Sequence, residues 1–266
     1  MKLYDYFKEN KDRNFIFIKP NAGNWGDNII RMGAKKMADK LKISYDEYDS
    51  IDGKAAIITK TRDKNDILYV HGCGGIGSIY DFPAGYVLRL RKYNPDNEIV
   101  WGPTTAMLHG EYLKENLLRD DKFTFFAREE RTYNLLKRII PNLKLELDEC
   151  PSLYLTEDDF KQEVTDYPNA NYLLLRDDKY EKIPEPFSYD KRKQFNLVYD
   201  PVKANTFDEW VAYHKEPDAI TTNRTHSAIL GAILGKKVRL FRNNYHKNES
   251  IWEYSLKKRG VEWLNI

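Results

Sequence analysis

Four clusters in this chain combine residue types that hold anions or move protons. The most concentrated is Thr221-Thr222-Asn223-Arg224-Thr225-His226-Ser227, which leads into an Ala/Gly-rich stretch with helical periodicity. Arg224 supplies a fixed cation and His226 a titratable proton, two residues apart, beside the free amides of a helix N-terminus. A phosphate or carboxylate is the natural guest of such a site, and Asn223 adds an amide at its edge. The competing reading of His226 is a solvated surface histidine. Gly231 and Gly235 permit close packing of the helix on a sheet, at some loss of helix stability.

The second cluster, Asn21-Ala22-Gly23-Asn24-Trp25-Gly26-Asp27-Asn28, lies between an apolar strand and a helix. Its glycines allow positive φ, and the helix amides that follow form an anion site. Asn24 and Gly26 are loop candidates, and Asp27 is a candidate proton acceptor with an ordinary N-cap as its alternative. The third, His71-Gly72-Cys73-Gly74-Gly75-Ile76-Gly77, exposes backbone amides at a strand end, with His71, Gly74 and Gly75 as its candidates. A tight crossover turn explains the same glycines, and Cys73 reads as a small filler rather than a nucleophile. In the fourth, Ala127-Arg128-Glu129-Glu130-Arg131, the glutamates suit a helix start. Arg128 opposes that preference and needs an anionic ligand or a structural carboxylate.

The elements that must position these residues alternate between short apolar runs and helical periodicity, as in parallel α/β sheets. Strands are expected at 15–18, 55–59, 67–70, 99–101, 123–127, 172–175, 195–199, 219–222, 238–241 and 261–264. Helices are expected at 28–41, 128–139, 206–213, 225–234 and 249–258, with a helix end at 87–91. Periodicity fades across 148–168, which suggests a Rossmann-like domain over 1–150 and a smaller one over 168–266. Doubly wound sheets of this kind bind ligands at the carboxyl ends of their strands.

Composition excludes several classes. With 266 residues, 32% of them charged, and a net charge of +2, the chain lacks the basic footprint of a nucleic-acid binder. Two cysteines exclude a disulfide framework, and no pair of histidines has metal-ligand spacing with a carboxylate. No apolar run approaches a membrane span and no leader pattern opens the chain, so a cytoplasmic location is expected. Arg242, Lys247, Lys257, Lys258 and Arg259 suit a peripheral contact with a membrane's inner face, or simply a solvated helix face. Asn223-Arg-Thr and Asn248-Glu-Ser match glycosylation sequons of little weight.

Taken in order, the motifs resemble the polysaccharide pyruvyl transferase family over residues 15–260. The matching pieces are Asn24-Trp25-Gly26-Asp27, the His71–Gly77 turn, Ala127-Arg128-Glu129, Arg224-Thr225-His226 and Tyr245-His246-Lys247. Asp148 with Pro151-Ser152-Leu153 is similar to the family's Asp-Pro-Ala-Leu segment, interrupted here by Glu149-Cys150. The resemblance implies two Rossmann-like domains of GT-B type and transfer of the enolpyruvyl group of phosphoenolpyruvate to a sugar. It implies no further cofactor and no metal. Arg224, Arg128, Asn223 and Lys247 would hold the donor, His226 would act as general acid, and Asp27 would receive a hydroxyl proton. Asn24, Gly26, His71, Gly74 and Gly75 would face the acceptor, either a lipid-linked sugar or an oligosaccharide. A nucleotide-sugar glycosyltransferase and a non-catalytic carbohydrate-binding protein are the competing functions.

Overall fold

The computed structural model describes residues 1–19, 24–49, 63–73, 76–77, 82–107, 110–164, 166–176, 187 and 189–266. The chain divides into two compact units, Met1–Gly23 with Asp27–Tyr154, and Asn24–Gly26 with Leu155–Ile266.

In the first unit, the apolar runs form β1 (Phe15–Lys19), β3 (Ile67–Val70), β4 (Glu98–Thr104) and β5 (Phe123–Ala127). Two further strands, β2 (Tyr45–Asp49) and β6 (Lys144–Leu147), were not anticipated. They are the edges of a six-stranded parallel sheet ordered β2-β1-β3-β4-β5-β6. An edge strand tolerates charge because one side lacks a partner, so Tyr-Asp-Glu-Tyr-Asp carries no apolar signature. The expected strand at 55–59 lies outside the described residues.

Alternation along the strands builds two cores. Phe15, Phe17, Ile67, Tyr69, Val100 and Phe126 face α1 (Leu3–Glu9) and α2 (Trp25–Leu41). Ile16, Leu68, Ile99, Trp101 and Phe125 face α3 (Phe82–Tyr93), α4 (Gly110–Asn116) and α5 (Glu130–Ile139). Each buried phenylalanine contributes about 2 to 3 kcal/mol of transfer free energy. Gly33 of α2 meets the chain after β6 so closely that a Cβ would stand 1.9 Å from the Pro151 carbonyl oxygen.

The second unit is a five-stranded parallel sheet ordered β11-β10-β9-β7-β8. Its strands are β7 (Tyr167–Leu174), β8 (Leu197–Tyr199), β9 (Pro217–Thr222), β10 (Lys237–Phe241) and β11 (Glu262–Leu264). The helices are α6 (Tyr189–Arg192), α7 (Phe207–Lys215), α8 (Thr225–Ile233) and α9 (Lys247–Ile251), which continues as a π-turn through Leu256. Gly231 sits where a Cβ would be 2.7 Å from Val238 Cγ2, so close helix–sheet packing requires it. Gly235 serves differently: with φ +68° and open space around it, it supplies the left-handed turn after α8.

Counted from its own first strand, each sheet begins in the order 2-1-3-4-5, so the strand order reverses between β1 and β3 and between β7 and β9. Mixed α/β architecture with two parallel sheets is thus established. Both reversal points are where doubly wound sheets receive ligands.

Candidate active site

At the reversal point of the second unit, side chains tie the two strand ends together. Thr222 Oγ1 donates to the Leu174 carbonyl at 2.5 Å, and Asn223 Oδ1 accepts the Arg176 amide at 2.7 Å. Thr222 Oγ1 also accepts the Arg224 amide at 2.9 Å, which turns the chain into α8. Asn248, fully buried on α9, clamps the turn from outside. Its amide nitrogen donates to the carbonyls of Asn223 (2.7 Å) and Phe241 (2.9 Å), and its oxygen accepts from Thr225 Oγ1 at 2.5 Å. A side chain so committed cannot carry a glycan in the folded protein, and the Asn223 sequon is 3% exposed.

Arg224 is held from the end of β8. Its Nε donates to Asp200 Oδ1 at 2.7 Å and Nη2 to Oδ2 at 2.6 Å, a planar fork on a carboxylate that is 1% exposed, with 14% of the arginine side chain at the surface. Two of the five guanidinium N–H groups make this fork, which fixes the plane in which the others point. Asp200 escaped the sequence reading; its only signal was a carboxylate at a strand end before Pro201.

His226 lies in the first turn of α8, partly exposed. Its ring packs on Gly26, where a Cβ would fall 2.5 Å from Nδ1. The tripeptide Asn24–Gly26 belongs to the second unit through such contacts: Trp25 Nε1 donates to the Ala204 carbonyl at 2.8 Å, and its ring meets Phe207. Asn24 Oδ1 accepts the Gly26 amide at 2.8 Å, so α2 starts at Trp25, not at Asn28 as expected. Asp27 is therefore a first-turn residue, 6% exposed, rather than the N-cap. Lys247 opens α9 with its ammonium 5.1 Å from the Tyr245 ring centroid.

In the first unit, His71 follows β3 at the reversal point. It is fully buried between the edges of Phe17 and Tyr69, and neither ring nitrogen makes a hydrogen bond among the described residues. Burial, reinforced by Arg31, Lys19 and Lys35, pushes its pKa well below the usual histidine value and keeps the ring neutral. Glu47 Oε1 stands 3.9 Å from Nε2, too far for a hydrogen bond. Three amides of the described part of the His71 turn are committed to internal acceptors. The amides of His71, Cys73 and Ile76 are bonded to Ile18 O, Thr104 Oγ1 and Thr105 O. Gly72 permits close approach to the Pro103 carbonyl, 2.2 Å from its would-be Cβ. Gly74, Gly75 and His109 lie outside the described residues.

Arg128 is buried entirely at the end of β5, where Nε and Nη2 donate to Thr105 Oγ1 at 3.2 and 3.0 Å. A register shift of β4 against β5 between Trp101 and Thr104, at Gly102-Pro103, brings Thr105 there. Glu129 caps α5, its carboxylate accepting the amides of Arg131 and Thr132. Asp148 caps the start of α1 by accepting the Leu3 amide at 2.8 Å. Among the described residues no group of three His, Cys, Asp or Glu side chains is placed to hold a metal, and no described helix is long and apolar enough to cross a membrane.

A family model for polysaccharide pyruvyl transferase matches residues 2–245. A crystal structure of an uncharacterized protein from Klebsiella pneumoniae subsp. pneumoniae is 22% identical and covers 99% of this chain and 97% of its own, with a TM-score of 0.72. That similarity extends to the fold alone. A sugar ABC transporter protein from Actinomyces odontolyticus aligns over 95% of this chain and 77% of its own at 11% identity, but its TM-score of 0.33 carries no argument. None of the curated proteins matches.

Proposed function

Because the chain belongs to the polysaccharide pyruvyl transferase family, we propose that it moves the enolpyruvyl group of phosphoenolpyruvate onto two hydroxyls of a sugar as a pyruvate ketal. The observation that carries this reading is the pairing of Arg224, oriented by Asp200, with His226 in the first turn of α8. A dianionic phosphate and a carboxylate call for a rigid guanidinium and helix amides. Asn223 and Lys247 complete the donor set. Arg128 belongs to it on sequence grounds, although its burial in the first unit suits a residue that shapes the end of β5.

In this reading, His226 as imidazolium protonates the methylene carbon and leaves C2 electrophilic. A sugar hydroxyl adds to C2 and gives its proton to Asp27. The C2–O bond to phosphate breaks, with the leaving group taking that proton. The second hydroxyl closes the ketal and returns a proton to His226, so the acid is regenerated and inorganic phosphate is released. Asn24, Gly26, His71, Gly74 and Gly75 are the proposed acceptor-side residues.

Thermal unfolding with phosphoenolpyruvate, UDP- and GDP-sugars and inorganic phosphate tests the donor. A ligand at a hundred times its dissociation constant adds about 2.7 kcal/mol to the native state. A midpoint rise with phosphoenolpyruvate alone, roughly halved in Arg224→Lys, supports pyruvyl transfer. A rise only with a sugar nucleotide overturns it in favour of glycosyl transfer. If His226→Asn keeps binding and all turnover, the chain acts without this acid and the mechanism fails.

A further inference from the structure

On the α2-facing side of the first sheet, alternation brings Lys19, Glu47 and His71 to the carboxyl edge of three adjacent strands, β1, β2 and the end of β3. Glu47 is the hub. Its Oε2 accepts from Lys35 of α2 at 2.9 Å, and its Oε1 is 4.0 Å from Lys19 Nζ and 3.9 Å from His71 Nε2. Lys19, Lys35 and Glu47 are each partly exposed, while the ring behind them is buried with both nitrogens unsatisfied. The cations acting on the buried ring are Arg31, Lys19 and Lys35.

Two features of this arrangement are left unsatisfied. A buried ring with no hydrogen bond forgoes about 1 to 3 kcal/mol for each unmet group. The carboxylate that is nearest to meeting it is held about 1 Å too far away, on the lysines. A phosphate arriving at Lys19 and Lys35 resolves both, because it takes over the ammonium groups and frees Glu47 to accept from His71 Nε2–H. The ring is neutral, so it offers one donor and one acceptor and no charge to compete for the anion.

We propose that Lys19 and Lys35 form a phosphate subsite in the first unit, coupled to a shift of Glu47 onto His71, and that the sugar accepted there is a phosphorylated one. The identification of the guest as a sugar rests on the pyruvyl-transfer reading, while the phosphate subsite stands on the residues themselves.

The test uses the full chain without phosphoenolpyruvate, titrated with a hexose 1-phosphate, the unmodified hexose and inorganic phosphate. Thermal unfolding and the ring nitrogens of His71 in a 15N-histidine sample are the readouts. The hexose 1-phosphate is expected to raise the midpoint most and to move the His71 Nε2 resonance. The double variant Lys19→Ala/Lys35→Ala should bind at least about tenfold more weakly. Glu47→Gln removes the competing carboxylate and should bind phosphate more tightly, an effect that a structural role for Glu47 would not produce. Binding of the hexose 1-phosphate should survive Arg224→Lys, so failure of the donor reading leaves this result in place. The subsite is overturned if Glu47→Gln weakens binding or the double variant leaves it unchanged. Equal responses to hexose and hexose 1-phosphate, or to phosphate and hexose 1-phosphate, overturn the phosphorylated-sugar assignment.

Discussion

The imidazole of His226 occupies the space that a side chain at residue 26 would need, with Nδ1 2.5 Å from the Cβ position of Gly26. The glycine of the Asn-Trp-Gly-Asp run is therefore a seat for the proposed acid and has no positive φ to explain it. Gly26→Ala should displace the ring by about 1 Å. Loss of turnover on the order of 100-fold is expected, with stability lowered by about 1 to 3 kcal/mol. Steady-state kinetics beside denaturant unfolding checks this, and unchanged turnover would detach His226 from the chemistry.

Asp200 is buried beneath the partly exposed Arg224, and removing one member strands the other. Asp200→Asn is expected to lower stability by about 3 kcal/mol in urea unfolding. Arg224→Lys keeps the charge but not the fork, so it should fold nearly as well while binding phosphoenolpyruvate about tenfold more weakly. Equal affinity in the lysine variant would mean that the orientation set by Asp200 is irrelevant to the ligand.

Asn248 makes three buried hydrogen bonds to the turn that carries Asn223 and Arg224. Asn248→Ala should remove about 3 kcal/mol and loosen that turn, so that hydrogen exchange at the Arg224 amide rises with the loss of donor binding. A variant that unfolds earlier yet binds donor normally would show that the clamp is structural only.

His214, buried on α7 with Nδ1 2.7 Å from the Trp210 carbonyl, has its pKa pushed down to about 4 by burial. The unfolded chain takes up this proton near pH 6.5 while the folded chain does not. Stability is therefore complete above pH 6.5 and falls by about 3 kcal/mol as pH drops toward 4, and His71 acts in the same direction. Urea midpoints at pH 7.5 and 4.5 should converge in His214→Gln relative to the parent, and an unchanged gap would locate the acid sensitivity elsewhere.

Gly33→Ala would drive a Cβ into the Pro151 carbonyl, 1.9 Å away. Backbone cannot yield as a flexible side chain does, so α2 must move, with a loss of about 4 kcal/mol. Soluble expression and melting temperature report it, and a near-native melting temperature would contradict the packing.

Apolar runs such as Phe15–Ile18, Ile67–Val70 and Phe123–Ala127 announced the central strands, because a strand covered on both faces must be apolar throughout. The Ala/Gly stretch after His226 likewise announced α8. The edge strand Tyr45–Asp49 and the helix Leu3–Glu9 stayed hidden, since half-exposed elements mix polar and apolar residues freely.

Residue types and spacing along the sequence determined two parallel α/β sheets and the clusters at their strand ends, through periodicity and glycine placement that act over a few residues. The tertiary structure alone decided that Asp200 holds Arg224, that Asn248 clamps their turn, that Gly26 makes room for His226, and that Glu47 stands between His71 and two lysines. Each of these pairs joins residues 12 or more positions apart, brought together by strand order and register. No local pattern encodes such contacts, because they exist only once buried surface has set which strands are neighbours.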